Sequence, residues 1–281
     1  MNKIKLVVLV IASLIIGLSS CKSVLKSRGL HPDFDSETYD LKGKKALIVT
    51  TSHGVLNKPG ETIRDSTGVF GSEMTVPYYE FLDANMEVYV VSIKGGQIPI
   101  DPSSFKRLIR TKSDERYLND DIFKEKVKNS IPIENVDFTQ YDVVFFAGGW
   151  GAAYDMGQSD TLAKKVSHAY YNSDILFGSV CHGVLAFVSA KDSTGQSLIK
   201  GRTMTGVTQK QLNQLKIEFT PLHPEEELKK AGANYQCSTG KRDFFESLTV
   251  VDEEKRFITG QNQNSGHETA QKIMKILTNI K

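Results

Sequence analysis

Asp174-Ile175-Leu176-Phe177-Gly178-Ser179-Val180-Cys181-His182-Gly183-Val184-Leu185-Ala186-Phe187 is the stretch that decides the fold. An apolar run ends at Val180, and a second begins just past the cysteine. The pattern predicts a short strand, a sharp turn at Cys181 and then a helix. That is the cysteine counterpart of a nucleophile elbow, a strained strand-to-helix turn that exposes a side chain at the carboxyl edge of a parallel sheet. Gly178 and Gly183 supply the small residues such a crossing needs. At a helix N-terminus a cysteine faces unpaired N–H groups and the positive end of the dipole, so Cys181 is expected to be a nucleophile of lowered pKa. His182, its neighbour, can take or return a proton near neutral pH. The competing reading, a cysteine buried in a core strand, accounts for neither the adjacent histidine nor the flanking glycines.

Outward from the elbow, strands and helices alternate. Residues 45–51 and 141–147 are almost continuously apolar, as in strands covered on both faces, and 86–92 and 175–180 read as further strands. Weaker strand signals fall at 202–207, 247–252 and 256–259. Helical stretches are expected at 72–85, 159–172, 225–231 and 265–280, the last with Ile273, Leu277 and Ile280 on one face. The alternation predicts one α/β domain over 41–281, a flavodoxin-like three-layer sandwich around a mostly parallel sheet. Its site should lie beyond the carboxyl ends of the strands. The segment 94–140 is too long for a plain loop. With its helix-like stretch 119–128 it is expected to form a small cap insertion over the site edge.

Composition narrows the function by exclusion. The 281 residues carry a formal net charge of +2 with both signs interspersed, so no basic stripe offers itself to nucleic acid. The six histidines lack zinc-type spacing, there is no Walker A loop, and Gly148-Gly149-Trp150-Gly151 does not fit a dinucleotide fingerprint. No metal and no cofactor are expected. Lys3 and Lys5 precede an apolar stretch from Leu6 to Leu18, a signal-peptide pattern over 1–20 that is too short for a membrane span. Leu18-Ser19-Ser20-Cys21 resembles a bacterial lipobox, which makes Cys21 the lipidated first residue of a tether over 21–40. A cell-envelope lipoprotein held to the membrane by that lipid is expected. Of the three cysteines, Cys181 and Cys237 remain, and a bridge between them is an open redox alternative.

Five motifs carry a resemblance. They are Thr67-Gly68-Val69-Phe70-Gly71-Ser72-Glu73 with Pro77 downstream; Lys94-Gly95-Gly96-Gln97-Ile98-Pro99-Ile100-Asp101-Pro102; Phe145-Phe146-Ala147-Gly148-Gly149; Cys181-His182-Gly183; and Ile258-Thr259-Gly260-Gln261-Asn262. In this order the chain resembles the ThiJ/PfpI superfamily, of class I glutamine-amidotransferase-like fold, over about 44–277. The nearest branch is that of heat-shock chaperones and glyoxalase III enzymes. The resemblance implies that Cys181 is the nucleophile, His182 its catalytic neighbour and Glu73 the acidic residue that approaches the thiol. Without it, Glu73 reads as an ordinary first-turn glutamate favoured by the helix dipole. Backbone N–H groups of Gly149, Trp150 and His182 can hold a developing oxyanion. Trp150 departs from the branch, which commonly has histidine after the paired glycines, and turns a polar pocket rim into an apolar wall.

Three functions follow as expectations. The first is a cofactor-independent, glyoxalase III-like enzyme that converts 2-oxoaldehydes to 2-hydroxy acids, with Cys181 forming a hemithioacetal and Glu73 and His182 moving protons. The second is a cysteine hydrolase acting on amides or peptides. The third is a holdase or oxidation sensor with no catalytic cycle. The partners expected are a small aldehyde or amide, the membrane through Cys21, and a second copy of the chain in a homodimer.

Overall fold

The computed structural model describes residues 37–57, 61, 65–107, 109–217 and 219–279; the signal and lipobox pattern, with Cys21, lies outside them. Among the described residues a main sheet of seven strands runs through the centre. Its strands are β1 (Lys45–Thr50), β2 (Glu87–Ser92), β3 (Ile131–Pro132), β4 (Val143–Phe146), β5 (Leu176–Val180), β6 (Thr249–Val251) and β7 (Phe257–Gly260). They lie in the order β6-β7-β5-β4-β1-β2-β3, with every pairing parallel except the hairpin β6–β7. This is the mostly parallel α/β sheet that the alternation predicts.

Two faces of one sheet need apolar cover, and the strand residues divide between them with a period of two. Ala46, Ile48, Val143, Phe145 and Leu176 pack with Met74, Tyr78 and Phe81 of α1 (Gly71–Asp83), Phe123 of α3 (Asp121–Lys128), and Ile273 and Leu277 of α7 (Gly266–Asn279), in a core that also takes in Leu212 of α5 (Gln209–Gln214). Leu47, Val49, Val144, Phe146 and Phe177 form the second core. They meet Leu162 and Val166 of α4 (Asp160–Asn172) and Leu228 of α6 (Pro224–Lys230). Helix starts are capped where the sequence allows it. Ser159 accepts from the Leu162 N–H, and Thr111 and Asp114 form a reciprocal capping box at α2 (Lys112–Leu118).

Three expectations change. The segment after the elbow, Cys181–Phe187, is a 3₁₀-helix rather than an α-helix. Gly183 lies so close to the Phe146 carbonyl that a β-carbon there has no room, and the tighter winding fits that approach. The strand expected at 202–207 shrinks to Thr203–Met204, which pairs with Asn234–Tyr235 outside the main sheet. The segment 94–140 does more than stand over the site. It carries the edge strand β3, helices α2 and α3, and a 3₁₀ turn at Pro102–Phe105, and its Ser103, Lys106 and Ile109 line the cavity of the site.

Candidate active site

The site forms where β5 ends. Cys181 has a φ of 58°, a left-handed conformation that costs a non-glycine residue about 1–3 kcal/mol. The strain sets the thiol above the carboxyl edge of the sheet, in a buried position only 6% exposed. Two backbone N–H groups, of His182 and Gly149, aim at the sulfur. Gly149 needs its own left-handed φ of 98° to pass Phe70 and Gly68, where no β-carbon fits.

Helix α1 delivers the acid. Phe70 ends the incoming chain, its N–H donating to the Gly148 carbonyl, and Glu73 falls in the first helical turn. Pro77, four residues on, has no N–H to give the Glu73 carbonyl. The Glu73 side chain is 1% exposed and hydrogen-bonds with the Cys181 thiol and the Gly148 N–H, while its Oε2 is left without a partner. Burial raises its pKa to about 8 against the pull of those hydrogen bonds, and the nearby charge of Asp101 adds to the rise. At neutral pH Glu73 is therefore a carboxylic acid beside a thiol.

The expected lowering of the Cys181 pKa does not occur. Burial pushes the thiol well above its ordinary value and the charge of Glu73 pushes it further; the N–H groups of His182 and Gly149 oppose this only in part. The helix dipole loses because the 3₁₀ segment has just seven residues and the sulfur has little water around it. Glu73 and Cys181 are best treated as one pair, whose protons leave in two steps.

His182 lies 3.4 Å from the sulfur through Nδ1, is 1% exposed, and has a buried Nε2 with no partner. Burial first, and then the charge of His223, lower its pKa to about 3, so it is neutral throughout the ordinary range. With hydrogen on Nδ1, the Nε2 lone pair is unengaged. The Trp150 ring leans on this imidazole, their centroids 4.8 Å apart. Gly149, Trp150 and His182 also line a cavity of about 360 Å³ beside the thiol.

The structure thus brings Glu73, Cys181, His182, Gly149 and Trp150 to one place. Cys237 is exposed and free, as Cys181 is free, so the two form no bridge. Among the described residues no cluster of three or more histidines, cysteines or acids is placed to hold a metal ion. Sequence reasoning missed Gly148, Asp101 and His223. The first two lie inside motifs already quoted but had been given no role. His223 follows no motif, and only the fold sets it near His182.

A model of the DJ-1/PfpI family matches residues 66–276. The chain is 30% identical to a protein of Saccharomyces cerevisiae named glutathione-independent glyoxalase HSP31, over 84% of this chain and 99% of that protein. It is 26% identical to the glutathione-independent glyoxalase hsp3101 of Schizosaccharomyces pombe, over 85% and 98%. Among solved structures, the Rapid Encystment Protein of 24 kDa from Francisella tularensis superposes with a TM-score of 0.75 at 33% identity, covering 83% of this chain and 99% of that one. Glyoxalase III from Candida albicans gives 0.71 at 26% identity, covering 83% and 96%.

Proposed function

The chain belongs to the DJ-1/PfpI family, and from that premise we propose that it is a cofactor-independent, glyoxalase III-like enzyme that converts 2-oxoaldehydes to 2-hydroxy acids on Cys181. One observation carries the reading. A buried carboxyl that holds its proton to about pH 8 is hydrogen-bonded to the thiol of a strained cysteine. A proton carrier works best when its pKa lies near the operating pH.

The steps follow from the pair. One proton must first leave it, and the remaining proton moves from sulfur to Glu73. The thiolate adds to the aldehyde carbon; the carbonyl pair goes to oxygen, which takes the proton from Glu73, giving a hemithioacetal. Glu73, now a carboxylate, removes the hydrogen of that carbon as a proton, and the electron pair forms the double bond of an enediolate. His182 passes the proton of the first oxygen to the second through its unengaged Nε2. Glu73 then protonates the second carbon. The first carbon is oxidised and the second reduced by two electrons, so no outside oxidant is needed. Water cleaves the resulting thioester and returns the thiol. N–H groups of Gly149 and His182, aimed at the sulfur, stabilise the thiolate before it attacks.

A hydrolase asks the histidine to be the base oriented by an acid. Here the acid is on the thiol, and no described carboxylate hydrogen-bonds either nitrogen of His182. Incubation with methylglyoxal in the absence of glutathione should yield lactate, followed by NMR, with none from Cys181→Ala. Cleavage of an amide or peptide by a protein inert to 2-oxoaldehydes would replace this reading with the hydrolase.

We also propose that Cys21 is lipidated and holds the folded domain at the cell envelope, on the support of the Leu18-Ser19-Ser20-Cys21 sequence behind a short apolar run. Mass spectrometry of the mature N-terminus should find an acylated Cys21; an unacylated residue there contradicts the anchor.

A further inference from the structure

The cavity beside Cys181 is far larger than a three-carbon 2-oxoaldehyde requires. Its volume of about 360 Å³ falls within the range of sites that enclose drug-sized ligands. Its wall is mostly apolar, made by Trp150, Val207, Leu212, Leu215, Ile217 and Phe244. These residues come from three separate parts of the chain, so the wall belongs to the fold and not to one helix face. Val207 and Leu212 are buried, whereas Leu215 is 41% exposed at the rim, a large apolar side chain left partly in water. Trp150 touches His182 on one side and the cavity on the other, so the reacting group and the apolar space share a boundary. The polar side chains of the lining besides His182 are Ser103, Lys106, Gln211 and Gln263; the two amides lie 3.5 Å apart and bond each other.

Resting on the reading above, we infer that the substrates of this site are 2-oxoaldehydes bearing a bulky apolar group, aryl or long alkyl, and that Trp150, Leu212, Leu215, Ile217 and Phe244 select them. A methyl group leaves most of this wall uncovered. A phenyl ring takes up the space next to Trp150 while the aldehyde meets the thiol. The gain is one of apolar area withdrawn from water, and each methylene-sized group in such a pocket discriminates about 10–200-fold.

Two measurements test it, one with turnover and one without. For the wild type, kcat/KM for phenylglyoxal should exceed that for methylglyoxal by about 10-fold or more. Leu215→Glu and Phe244→Glu, which set a charge in the apolar wall, should each reduce that ratio about 10-fold. Turnover of methylglyoxal equal to or faster than that of phenylglyoxal overturns the inference and leaves the proposed function standing. Inertness to both overturns the function, and binding then decides the pocket alone. Trp150 is the only tryptophan of the chain, so its fluorescence reports what enters the cavity. In Cys181→Ala, mandelate should quench it with a Kd about 10-fold lower than lactate, the two differing only by phenyl for methyl. Equal Kd values, or no quenching by mandelate, contradict an apolar selection site whatever the turnover shows.

Discussion

The two ends of strand β5 use buried charge in opposite ways. At its start, Asp252 is fully buried and accepts from Arg202 at 2.6 Å and from the N–H groups of Arg256 and Phe257 at 2.7 and 2.8 Å. Arg256 in turn donates to the carbonyls of Ile175, Ser173 and Tyr170. The charges at this end are paired and hydrogen-bonded, and the network ties the loop before β7 to the foot of β5. At the carboxyl end, Glu73 Oε2 and His182 Nε2 have no partner, and Cys181 sits in a left-handed conformation. Burial costs little when paired and a great deal when not. The first end holds the sheet together. The second leaves a carboxyl oxygen and an imidazole nitrogen unpaired around a buried thiol.

The largest effect that can break this contrast is at the sulfur. Cys181→Ala should lower 2-oxoaldehyde turnover by about 10⁴-fold or more, because no other step can hold the substrate covalently. Retained turnover would move the chemistry elsewhere. Next in size, Asp252→Ala should lose about 3 kcal/mol of stability, since the Arg256 and Phe257 N–H groups lose their acceptor and Arg202 keeps only the more exposed Glu254 as its ion-pair partner. Denaturant unfolding measures this, and kcat of the folded fraction should stay within about twofold. A large fall in kcat with intact folding would show that the two ends are not independent.

A smaller effect sharpens the same contrast. Glu73 holds its proton to about pH 8 and the thiol is pushed higher still, so the first proton leaves the pair near pH 8. The singly protonated pair is the reactive form. The kcat/KM profile should therefore rise with pH to a midpoint of about 8. His182, lowered to about 3, should add no step near pH 6.5, where an ordinary histidine titrates. An inflection there would mean that His182 is solvated in the working enzyme.

The sheet and the elbow at its carboxyl edge were legible in the sequence; the Asp252–Arg202–Arg256 network and the contact of acid with thiol were not. Continuous apolar runs such as Val143–Phe146 need cover on both faces, so the parallel sheet and its helices could be read from composition alone. The break after Val180 was visible because only Cys181-His182-Gly183, a histidine and a glycine among them, separates two apolar runs. Which acid meets the thiol was not readable from pattern. Glu73 and Cys181 lie more than a hundred residues apart, and as a first-turn glutamate Glu73 looks like any other; only family resemblance pointed to it. The direction of the thiol's pKa was misjudged for a related reason. A local rule places cysteines at helix starts near the positive dipole, but burial is set by the whole fold, and burial prevailed. The strand expected at 202–207 failed because Thr203–Met204 reaches no edge of the main sheet and pairs with Asn234–Tyr235 instead.

The central claim is that Glu73 is a buried acid kept for proton transfer at the expense of stability. Its folded-state pKa of about 8 lies above the ordinary 4.5, so the fold prefers the protonated form. That preference is fully present below about pH 4.5 and is lost as pH rises through about 8, so ionisable Glu73 destabilises the fold progressively over that range. Glu73→Gln keeps the shape and cannot ionise. Turnover of the best 2-oxoaldehyde and the melting temperature, measured side by side at about pH 8, test the claim directly. Turnover should fall about 10²–10⁴-fold while the protein becomes more stable by on the order of 2–3 kcal/mol, a rise of several degrees in Tm. Unchanged turnover, or a variant less stable than the wild type, would make Glu73 a packing residue and contradict the account.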